Sequence, residues 1–411
     1  MIPLKIARLS RKLIPSVSFI SGARSAGPAP SFTGVPFTMR TEVKDRYYRV
    51  FTYQSVDRVP DVEFGYWPQT IRRWLKEGLP IELTKDEQNQ MFLGKLDRFL
   101  GFDEGDQVGL GVRGGMNPTF KEEIIERKAR SVVMRDSSGV IAERYQNDVD
   151  ESSIPHFLRF PVETPDDWKS MKERYRLDDE TRRRPPEEIE NVRRGIHEGK
   201  MVSWWCCGFY GQLRNWMGME NLSIAFYEYP DMIHDMVEYW AELCARQIEE
   251  LPADIVIDHA SWWEDMASKN GPLVSPRMFR EFLQPGYHRV MQAAKKRGCV
   301  LGIVDCDGNP HDIVGNWIEE GVNIMFPLEV AAGVDPFAWR REFGMTLRLK
   351  GAIAKAPIVE GGKAIDRELD RIKPLMEQGG FIPHLDHLVP PDIPYKNYCE
   401  YLEKKRKLIG K

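Results

Sequence analysis

Eight short apolar runs, separated by longer amphipathic stretches, recur along the chain from Val59 onward. Each run has the length of a β-strand, and the stretches between the runs have helical periodicity. Strands that alternate with helices build a parallel sheet covered by helices, and about eight such units favour a closed barrel. The predicted fold is therefore α/β, a (β/α)8 TIM barrel. The predicted strands are Val59–Phe64, Val108–Val112, Lys200–Trp205, Ala253–Asp258, Val300–Asp305, Asn323–Leu328, Thr346–Lys350 and Gly380–Leu385.

Several of the intervening stretches also carry helix-end signals. The predicted helix Ser275–Lys296 opens with a serine followed by a proline, a good N-cap and first-turn pair. The predicted helices Pro310–Glu320 and Pro336–Phe343 each stop just before a glycine, a common helix terminator. The first predicted strand is not followed by a glycine-rich phosphate motif, which argues against a doubly wound nucleotide-binding fold.

One segment, residues 118–160, does not fit the repeat and is predicted to be an antiparallel β insertion. Within it, Arg130–Arg135 and Val140–Tyr145 alternate apolar and polar residues on either side of the turn sequence Asp136–Gly139. Two such runs around a glycine-containing turn predict a β-hairpin. A basic run at Arg182–Arg184 follows the insertion, and a solvated helix face is the favoured interpretation for it over an acidic partner.

Residues 1–38 differ from the rest of the chain. They contain basic residues and many serines, and the first acid is Glu42. A basic, serine-rich leader is typical of an organelle transit peptide. The alternative, which we favour, is that translation starts at Met39. Either way, residues 39–411 are expected to form a single barrel domain.

Composition excludes several classes of function. The net charge of −4 gives no overall attraction to nucleic acid or to an anionic membrane surface. The sequence has no run of 18 or more apolar residues, so no transmembrane helix is expected. The six cysteines are sparse and lack the spacing of metal-binding knuckles, which favours a reducing compartment. We therefore expect a cytoplasmic protein, with organelle targeting by residues 1–38 as the less favoured alternative.

Two acids stand at the end of one predicted strand. Asp305 and Asp307 flank Cys306 and are followed by Gly308-Asn309, which is turn chemistry. Side chains alternate along a strand, so the two carboxylates are expected to point the same way at the mouth of a loop. Such a pair can hold a metal, share a proton or grip a cationic or hydroxylated ligand. Alternatively, Asp307 caps the next helix.

Ionisable and aromatic side chains recur at the ends of the other predicted strands, where barrel enzymes place their active sites. Together they predict a pocket for a flat or cationic organic substrate. Some of them have structural alternatives: one of the two adjacent tryptophans is expected in the core, His259 can be a buried structural histidine, and Glu329 can pair with Arg348. The predicted catalytic and binding residues besides the two acids are Trp67, Trp204, Trp205, Tyr210, His259, Glu264, Asp265, Glu329 and His387.

A set of segments in a fixed order resembles the uroporphyrinogen decarboxylase superfamily over roughly residues 40–408. The most specific segment is Asn-Gly-Pro-Leu-Val-Ser-Pro at Asn270–Pro276. The resemblance implies a TIM barrel, in agreement with the count of strands. The segments are Asp57–Pro60, Trp205–Gly218, Glu264–Pro276, Asp307–Asn309, Pro327–Glu329 and His387–Pro394.

Departures from the family pattern indicate which branch the chain resembles. Haem-pathway decarboxylases carry an arginine-rich motif near the first strand, whereas this chain has Glu63–Pro68 there. The methyl-transferring branch uses zinc held by a His-x-Cys pair and a later cysteine. At these positions the chain has Asp305, Asp307 and His387. The resemblance thus implies zinc or another divalent metal on these three residues, and a corrinoid carried by a separate protein.

The leading hypothesis is an enzyme that transfers a methyl group from a small methylated substrate to a corrinoid protein or a similar acceptor. Trp67, Trp204 and Trp205 would hold the donor, and the Asp305, Asp307 and His387 set would polarise the leaving atom or supply its proton. Asp265 and Glu264 would orient the ligand. A homodimer is also possible from the sequence.

A metal-free decarboxylase or lyase is the alternative enzyme. In it Asp265 would stabilise a protonated ring, and Lys350, Lys355 or Arg348 would hold the substrate carboxylate. A non-catalytic binding barrel is the third hypothesis.

Overall fold

The computed structural model describes residues 42–103, 107–113, 115–145 and 155–411. The predicted leader, residues 1–38, and the alternative start at Met39 lie outside these ranges. Within the described ranges, a seven-stranded parallel sheet forms the centre of the molecule. With strands numbered in chain order, its members from one edge to the other are β1 Gln107–Gly111, β6 Met201–Cys206, β7 His259–Trp263, β10 Leu301–Asp305, β11 Ile324–Phe326, β12 Arg348–Ile353 and β13 Phe381–Leu385.

Residues 61–66 close this sheet into a barrel. They do not form a regular ladder with either neighbour, and individual hydrogen bonds join them to the two edges of the sheet. On one side Val389 N donates a hydrogen bond of 2.9 Å to Gly65 O, and Tyr66 forms a parallel bridge with Val389. On the other side Asp103 N donates to Asp61 O at 2.8 Å. The predicted strand Val59–Phe64 therefore lies in the barrel wall, and the prediction of a (β/α)8 barrel is confirmed.

Helices cover the outside of the barrel, whereas α1 packs against its inner core. The helix predicted at Pro336–Phe343 is observed with these bounds. Asp335 caps its start by accepting hydrogen bonds from Phe337 N and Ala338 N, and Gly344 ends it. Within the described ranges, no helix has the length and apolar character needed to cross a membrane. The helices are α1 Glu42–Phe51, α2 Pro68–Lys76, α3 Gly94–Leu100, α4 Pro165–Lys172, α5 Pro186–His197, α6 Phe209–Met217, α7 Met219–Glu228, α8 Pro230–Glu249, α9 Pro276–Met278, α10 Gln284–Lys296, α11 Val314–Glu320, α12 Pro336–Phe343, α13 Lys355–Glu360, α14 Lys363–Gln378 and α15 Tyr395–Ile409.

The predicted antiparallel insertion is also confirmed. The predicted hairpin pairs β3 with β4 in the register Arg135↔Ile141, across a turn in which Gly139 has a φ of +89°. Two further strands extend the hairpin into a four-stranded antiparallel sheet. In sheet order the strands are β2 Glu123–Arg127, β3 Ser131–Arg135, β4 Ile141–Tyr145 and β5 His156–Arg159. A short pair, β8 Ala267–Ser268 and β9 Gly271–Pro272, follows β7.

Two apolar cores show which way each barrel strand faces. The inner core joins strand residues such as Met201, Leu301 and Ile382 to side chains of α1. The outer core, between the sheet and its helices, contains Val202 and Trp204. Because side chains alternate along a strand, every second residue from Met201 onward faces the barrel interior.

One predicted strand was wrong. Residues 253–258 were predicted as a strand, whereas β7 begins at His259. Ile255 and Ile257 are fully buried, so the run has the composition of a strand, but its ladder with β6 starts only at the Ser203↔His259 pair. The carboxylate of Asp258 instead bonds to Val202 N and to side chains of α1.

Candidate active site

Asp305 lies at the mouth of the barrel between two aromatic side chains. It is the last residue of β10 and is level with Trp263 of β7 and Phe326 of β11. Residues at the same level of neighbouring strands project from the same face of the sheet. The Asp305 carboxyl is therefore flanked by these two rings on the inner wall of the barrel.

Asp265, Asp305 and Asp307 form a tight group of acids. One carboxylate oxygen of each lies within 4.8 Å of the others. Asp307 N donates a hydrogen bond of 3.3 Å to Asp265 Oδ1, and the Arg214 guanidinium lies 3.8 Å from Asp265 Oδ2. Burial, followed by the Asp265 and Asp307 charges, raises the pKa of Asp305 well above its usual range, and Lys350 offsets part of this rise. Burial and the Asp307 charge likewise raise the pKa of Asp265.

A second group shares Asp307 with the first. One ligand atom each of Asp307, Glu329 and His387 lies within 4.8 Å of the others. His387 Nε2 is 3.3 Å from Asp307 Oδ2, and Gly308 N donates to Glu329 Oε2 at 2.9 Å. Two carboxylates and an imidazole are a donor set for a hard or borderline divalent ion.

The predicted metal set of Asp305, Asp307 and His387 is therefore divided by the structure. Asp305 joins Asp265, and Glu329 takes its place beside His387. Asp305 still belongs to β10 and faces the barrel interior, whereas Asp307 lies in the loop beyond the strand. Even so, one carboxylate oxygen of Asp305 and one of Asp307 lie within 4.8 Å of each other, so the two acids converge at the mouth as the alternation predicted.

Besides Arg214, two lysine side chains reach the same region. Lys355 Nζ lies 3.4 Å from Asp386 Oδ1 and 3.8 Å from Glu329 Oε1. Lys350 Nζ lies 5.2 Å from the centre of the Phe326 ring. Burial raises the pKa of Asp386, and Lys355 opposes that rise. We call the following residues the mouth cluster: Arg214, Asp265, Asp305, Asp307, Glu329, Lys350, Lys355, Asp386 and His387.

Arg214 and Asp386 are not among the predicted site residues. Arg214 lies inside a family-like segment, and Asp386 stands next to His387. Strand-end position was an available signal for Asp386, which directly follows β13. Nothing local to Arg214 indicated its contact with Asp265, because that contact joins α6 to the loop after β7.

Two predicted aromatic residues line the mouth. The Trp67 ring stacks on His387, with ring centres 6.1 Å apart and planes 25° apart, and 38% of Trp67 is exposed. Trp205 faces the barrel interior yet is 49% exposed. Both rings are therefore accessible to a ligand at the mouth.

The structure places three of the predicted ligand-binding residues away from the mouth. Trp204 is fully buried in the outer core, under the Arg184 guanidinium. Tyr210 is buried in the same core, on the inward face of α6. His259 is buried at the first residue of β7, at the far end of that strand from the mouth. Burial lowers the pKa of His259 to about 4, so this ring is neutral at physiological pH.

Glu264 does not face the mouth either. It is fully buried, and its carboxylate accepts hydrogen bonds of 2.8 Å from Phe209 N and from Gly211 N, as well as one from the Tyr287 hydroxyl. Burial raises the pKa of Glu264 to about 7 despite these donors. In this structure the Glu264 carboxylate is therefore bound by groups of the protein itself.

Comparison with known proteins identifies the family. A model of the uroporphyrinogen decarboxylase (URO-D) family matches residues 149–407. No match was found among curated proteins. Among solved structures, the chain is similar to a methyltransferase from Methanosarcina mazei, with 15% identity, a TM-score of 0.53 and coverage of 90% of this chain and 98% of that chain. It also matches a B12-independent methionine synthase from Shewanella sp. W3-18-1 with 11% identity, a TM-score of 0.36 and coverage of 85% and 98%. The first likeness supports the fold, and the family match covers more than half of the sequence, so the chain belongs to the uroporphyrinogen decarboxylase family.

Proposed function

We propose that this chain transfers a methyl group from a small methylated substrate to a corrinoid protein or a similar nucleophilic acceptor. The excess of acids over cations in the mouth cluster carries the proposal. A solved methyltransferase from Methanosarcina mazei has a similar fold, which is compatible with this chemistry.

The charges of the mouth cluster favour a neutral or cationic substrate. Arg214 already lies beside Asp265, and Lys355 lies between Glu329 and Asp386. A substrate with several carboxylates would meet like charge at short range, which costs free energy. Among the described residues the cluster has five acids and three strong cations; the acids are Asp265, Asp305, Asp307, Glu329 and Asp386, and the cations are Arg214, Lys350 and Lys355.

A divalent ion would be held by Asp307, Glu329 and His387. Their ligand atoms are close enough to share one ion, and carboxylate with imidazole suits zinc and harder ions. When bound, such an ion would act as a Lewis acid toward the leaving atom of the donor. The group lacks a thiolate, so it fits an oxygen or nitrogen leaving atom better than activation of a thiol.

The residues of the chain itself would bind the donor and manage a proton. The accessible rings of Trp67 and Trp205 would bind an apolar or cationic methylated group. As the acceptor's electron pair forms the new bond to the methyl carbon, the old bond breaks and its electrons stay on the leaving atom. Burial and the neighbouring carboxylates favour the protonated form of Asp305, which would give its proton to a leaving oxygen.

The alternative is a decarboxylase, and one observation favours it. Lys350 lies inside the barrel near Asp305, where an ammonium group could hold a substrate carboxylate. Arg348, the other cation considered for this role, donates instead to Phe51 O and Thr346 O.

The test compares both reactions on one protein preparation. The purified chain would be given methoxyarenes, methylated amines and quaternary ammonium compounds with reduced free cobalamin, and methylcobalamin formation would be followed by absorbance. Carbon dioxide release would be measured in parallel with carboxylated aromatic compounds. Methylcobalamin formation that is lost in Asp305→Asn but kept in Asp370→Asn, an exposed aspartate on α14, is the expected result. Carbon dioxide release without methyl transfer would favour the decarboxylase, and neither reaction would favour a binding barrel.

A further inference from the structure

The buried carboxylate of Glu264 joins three separate elements next to the mouth cluster. It follows β7, it accepts hydrogen bonds from the first turn of α6 through Phe209 N and Gly211 N, and it accepts one from Tyr287 of α10. A carboxylate at a helix N-terminus is favoured both by the free N–H groups and by the helix dipole. The side chain is fully buried, so these bonds are sheltered from competing water.

The sequence makes room for this contact with two glycines. A Cβ atom on Gly208 would lie 2.4 Å from Trp263 O, and one on Gly211 would lie 2.3 Å from the same oxygen. The N-terminus of α6 therefore lies directly against the backbone of the loop that carries Glu264. Any larger residue at either position would push α6 away from the carboxylate.

The next residue, Asp265, has a backbone conformation that side chains rarely adopt. Its φ is +41°, in the left-handed region that residues other than glycine sparsely populate. Two contacts beside it hold the loop: Glu264 N donates to Asp305 O at 2.9 Å, and Arg214 donates to Asp265 O at 2.8 Å. A strained residue beside a candidate active site indicates that the surroundings impose its conformation.

We infer that Glu264 is a positioning residue, which fixes the loop after β7 to α6 and so holds the Asp265 carboxylate against Asp307. The effect of Glu264 on catalysis rests on the proposed function, whereas its effect on the position of Asp265 does not. Glu264 contacts backbone groups and Tyr287, whereas Asp265 contributes an oxygen to the acidic group at the mouth. Supporting groups of this kind typically change activity or metal affinity about 10–100-fold when they are altered.

The first test is a pair of crystal structures at pH 8, of the full-length wild type and of Glu264→Gln. At this pH the carboxylate is mostly ionised and accepts with both oxygens, whereas the amide has one acceptor oxygen, so its NH2 group must oppose one of the two N–H donors of α6. We expect residue 265 to leave the left-handed region and its carboxylate to move away from Asp307 N. An unmoved Asp265 in the variant would overturn the inference, whatever reaction the protein catalyses.

The second test is a double-mutant cycle in the methyl-transfer assay. If Glu264 acts through Asp265, Glu264→Gln and Asp265→Asn each lower kcat/KM about 10–100-fold, and the double variant is no worse than Asp265→Asn. The inference would be overturned if the kcat/KM losses of the two single variants multiply in the double variant, and if the activity of Glu264→Gln falls in parallel with its melting temperature. Glu264 would then have a merely structural role.

A matched control comes from another buried carboxylate. Glu368 is buried and accepts a hydrogen bond of 2.6 Å from Ala354 N. Any loss of kcat/KM in Glu368→Gln should multiply with the loss in Asp265→Asn, because the two residues act independently. If Glu264→Gln does not fold, Tyr287→Phe removes one donor to Glu264 and should shift Asp265 and its kinetics in the same direction by a smaller amount. If no methyl donor is turned over, the proposed function fails while the crystal structures still decide this inference.

Discussion

Two clusters of charged side chains in this protein differ in their balance of acids and cations. The first, which we call the Lys405 cluster, consists of Asp61, Glu63, Lys405, Arg406 and Lys411. Lys405 is fully buried, with Nζ 2.7 Å from Glu63 Oε1 and 3.0 Å from Asp61 Oδ1. Arg406 and Lys411 also lie within 3.0 Å of Asp61 Oδ2. Here the cations outnumber the acids, whereas in the mouth cluster the acids outnumber the cations.

The difference shows that burial alone does not decide how a carboxyl group behaves. Burial raises the pKa of Asp61, but Lys405 and Arg406 outweigh it and bring the pKa down to about 2. Burial also raises the pKa of Asp305, and there the neighbouring carboxylates add to the rise. Acids matched by cations stabilise the fold, and acids left in excess at a cleft are candidates for chemistry or for binding a cation.

The largest effect is expected in the Lys405 cluster. Lys405→Met leaves two buried carboxylates without their main partner, which typically costs about 3–5 kcal/mol of unfolding free energy. Urea denaturation would measure it. The control is Lys407→Met, since Lys407 is on the same helix but exposed and pairs with exposed Glu403. If Lys405→Met lowers the free energy of unfolding no more than the control does, the Lys405 cluster does not stabilise the fold.

Asp61 of the Lys405 cluster and Glu264 beside the mouth cluster should give opposite dependences of stability on pH. Asp61 has a lowered pKa in the folded state, so its contribution is present above about pH 4 and is lost as the pH falls toward 2. Glu264, beside the mouth cluster, has a pKa raised to about 7. Its contribution is present below its ordinary value near 4.5 and is lost as the pH rises through 7.

The Glu264 effect is on the order of 3 kcal/mol between pH 4.5 and pH 8. Urea denaturation across that range would measure it, with Glu264→Gln expected to lose most of the dependence. Asp61→Asn should keep the dependence above pH 5. An unchanged pH profile in Glu264→Gln would show that this carboxyl is not protonated near neutral pH.

At the mouth, Asp305→Asn should separate activity from stability. Removal of a general acid typically lowers kcat by about 100-fold or more, and methylcobalamin formation would measure it. The melting temperature should stay the same or rise, because a buried acid among like charges is removed. A fall in melting temperature that matches the loss of activity would mean that Asp305 is structural, like Asp61.

The barrel and its insertion could be predicted from sequence because both depend on local patterns. The alternation of strands and helices, the hairpin around Asp136–Gly139 and the helix Pro336–Phe343 are all encoded within short stretches. The prediction of a strand at residues 253–258 was wrong because it also used only local patterns. Ile255 and Ile257 have strand-like composition, but pairing with β6, which is not a local property, starts at His259.

The site could be predicted only in part. Strand ends located Asp305, Asp307, Glu329 and His387, which the structure brings to one mouth. Alternation indicated that Trp204 and Trp205 face opposite sides, but the inner face is set by contacts of β6 with α1 and the helices. The role of Glu264 depends on groups more than twenty residues away in sequence, and no local pattern indicates it.

Metal binding by His387, which follows β13, would sharpen the comparison further, because His384 within that strand has a different environment. His387 lies at the mouth beside Asp307, whereas His384 is fully buried, with a pKa that burial lowers well below its usual value. His387→Ala should weaken zinc or cobalt binding about tenfold or more, because one of three ligands is lost. Calorimetry on metal-free protein would measure this. His311→Ala, at a partly exposed histidine on the outside, is the control and should bind as the wild type does.

The smallest expected effect concerns Trp204 and Trp205. Trp205→Leu removes an accessible ring from the mouth and should raise the KM for the methyl donor several-fold, with a change in melting temperature below about 2 °C, since exposed positions contribute little to stability. Trp204→Leu removes a ring from the outer core and should instead lower the unfolding free energy by about 2 kcal/mol while leaving KM unchanged, because it opens a cavity. Steady-state kinetics and thermal denaturation of the two variants would measure both quantities. If instead Trp204→Leu raises KM and Trp205→Leu lowers stability, Trp204 rather than Trp205 faces the barrel interior. The substrate would then bind away from the mouth cluster.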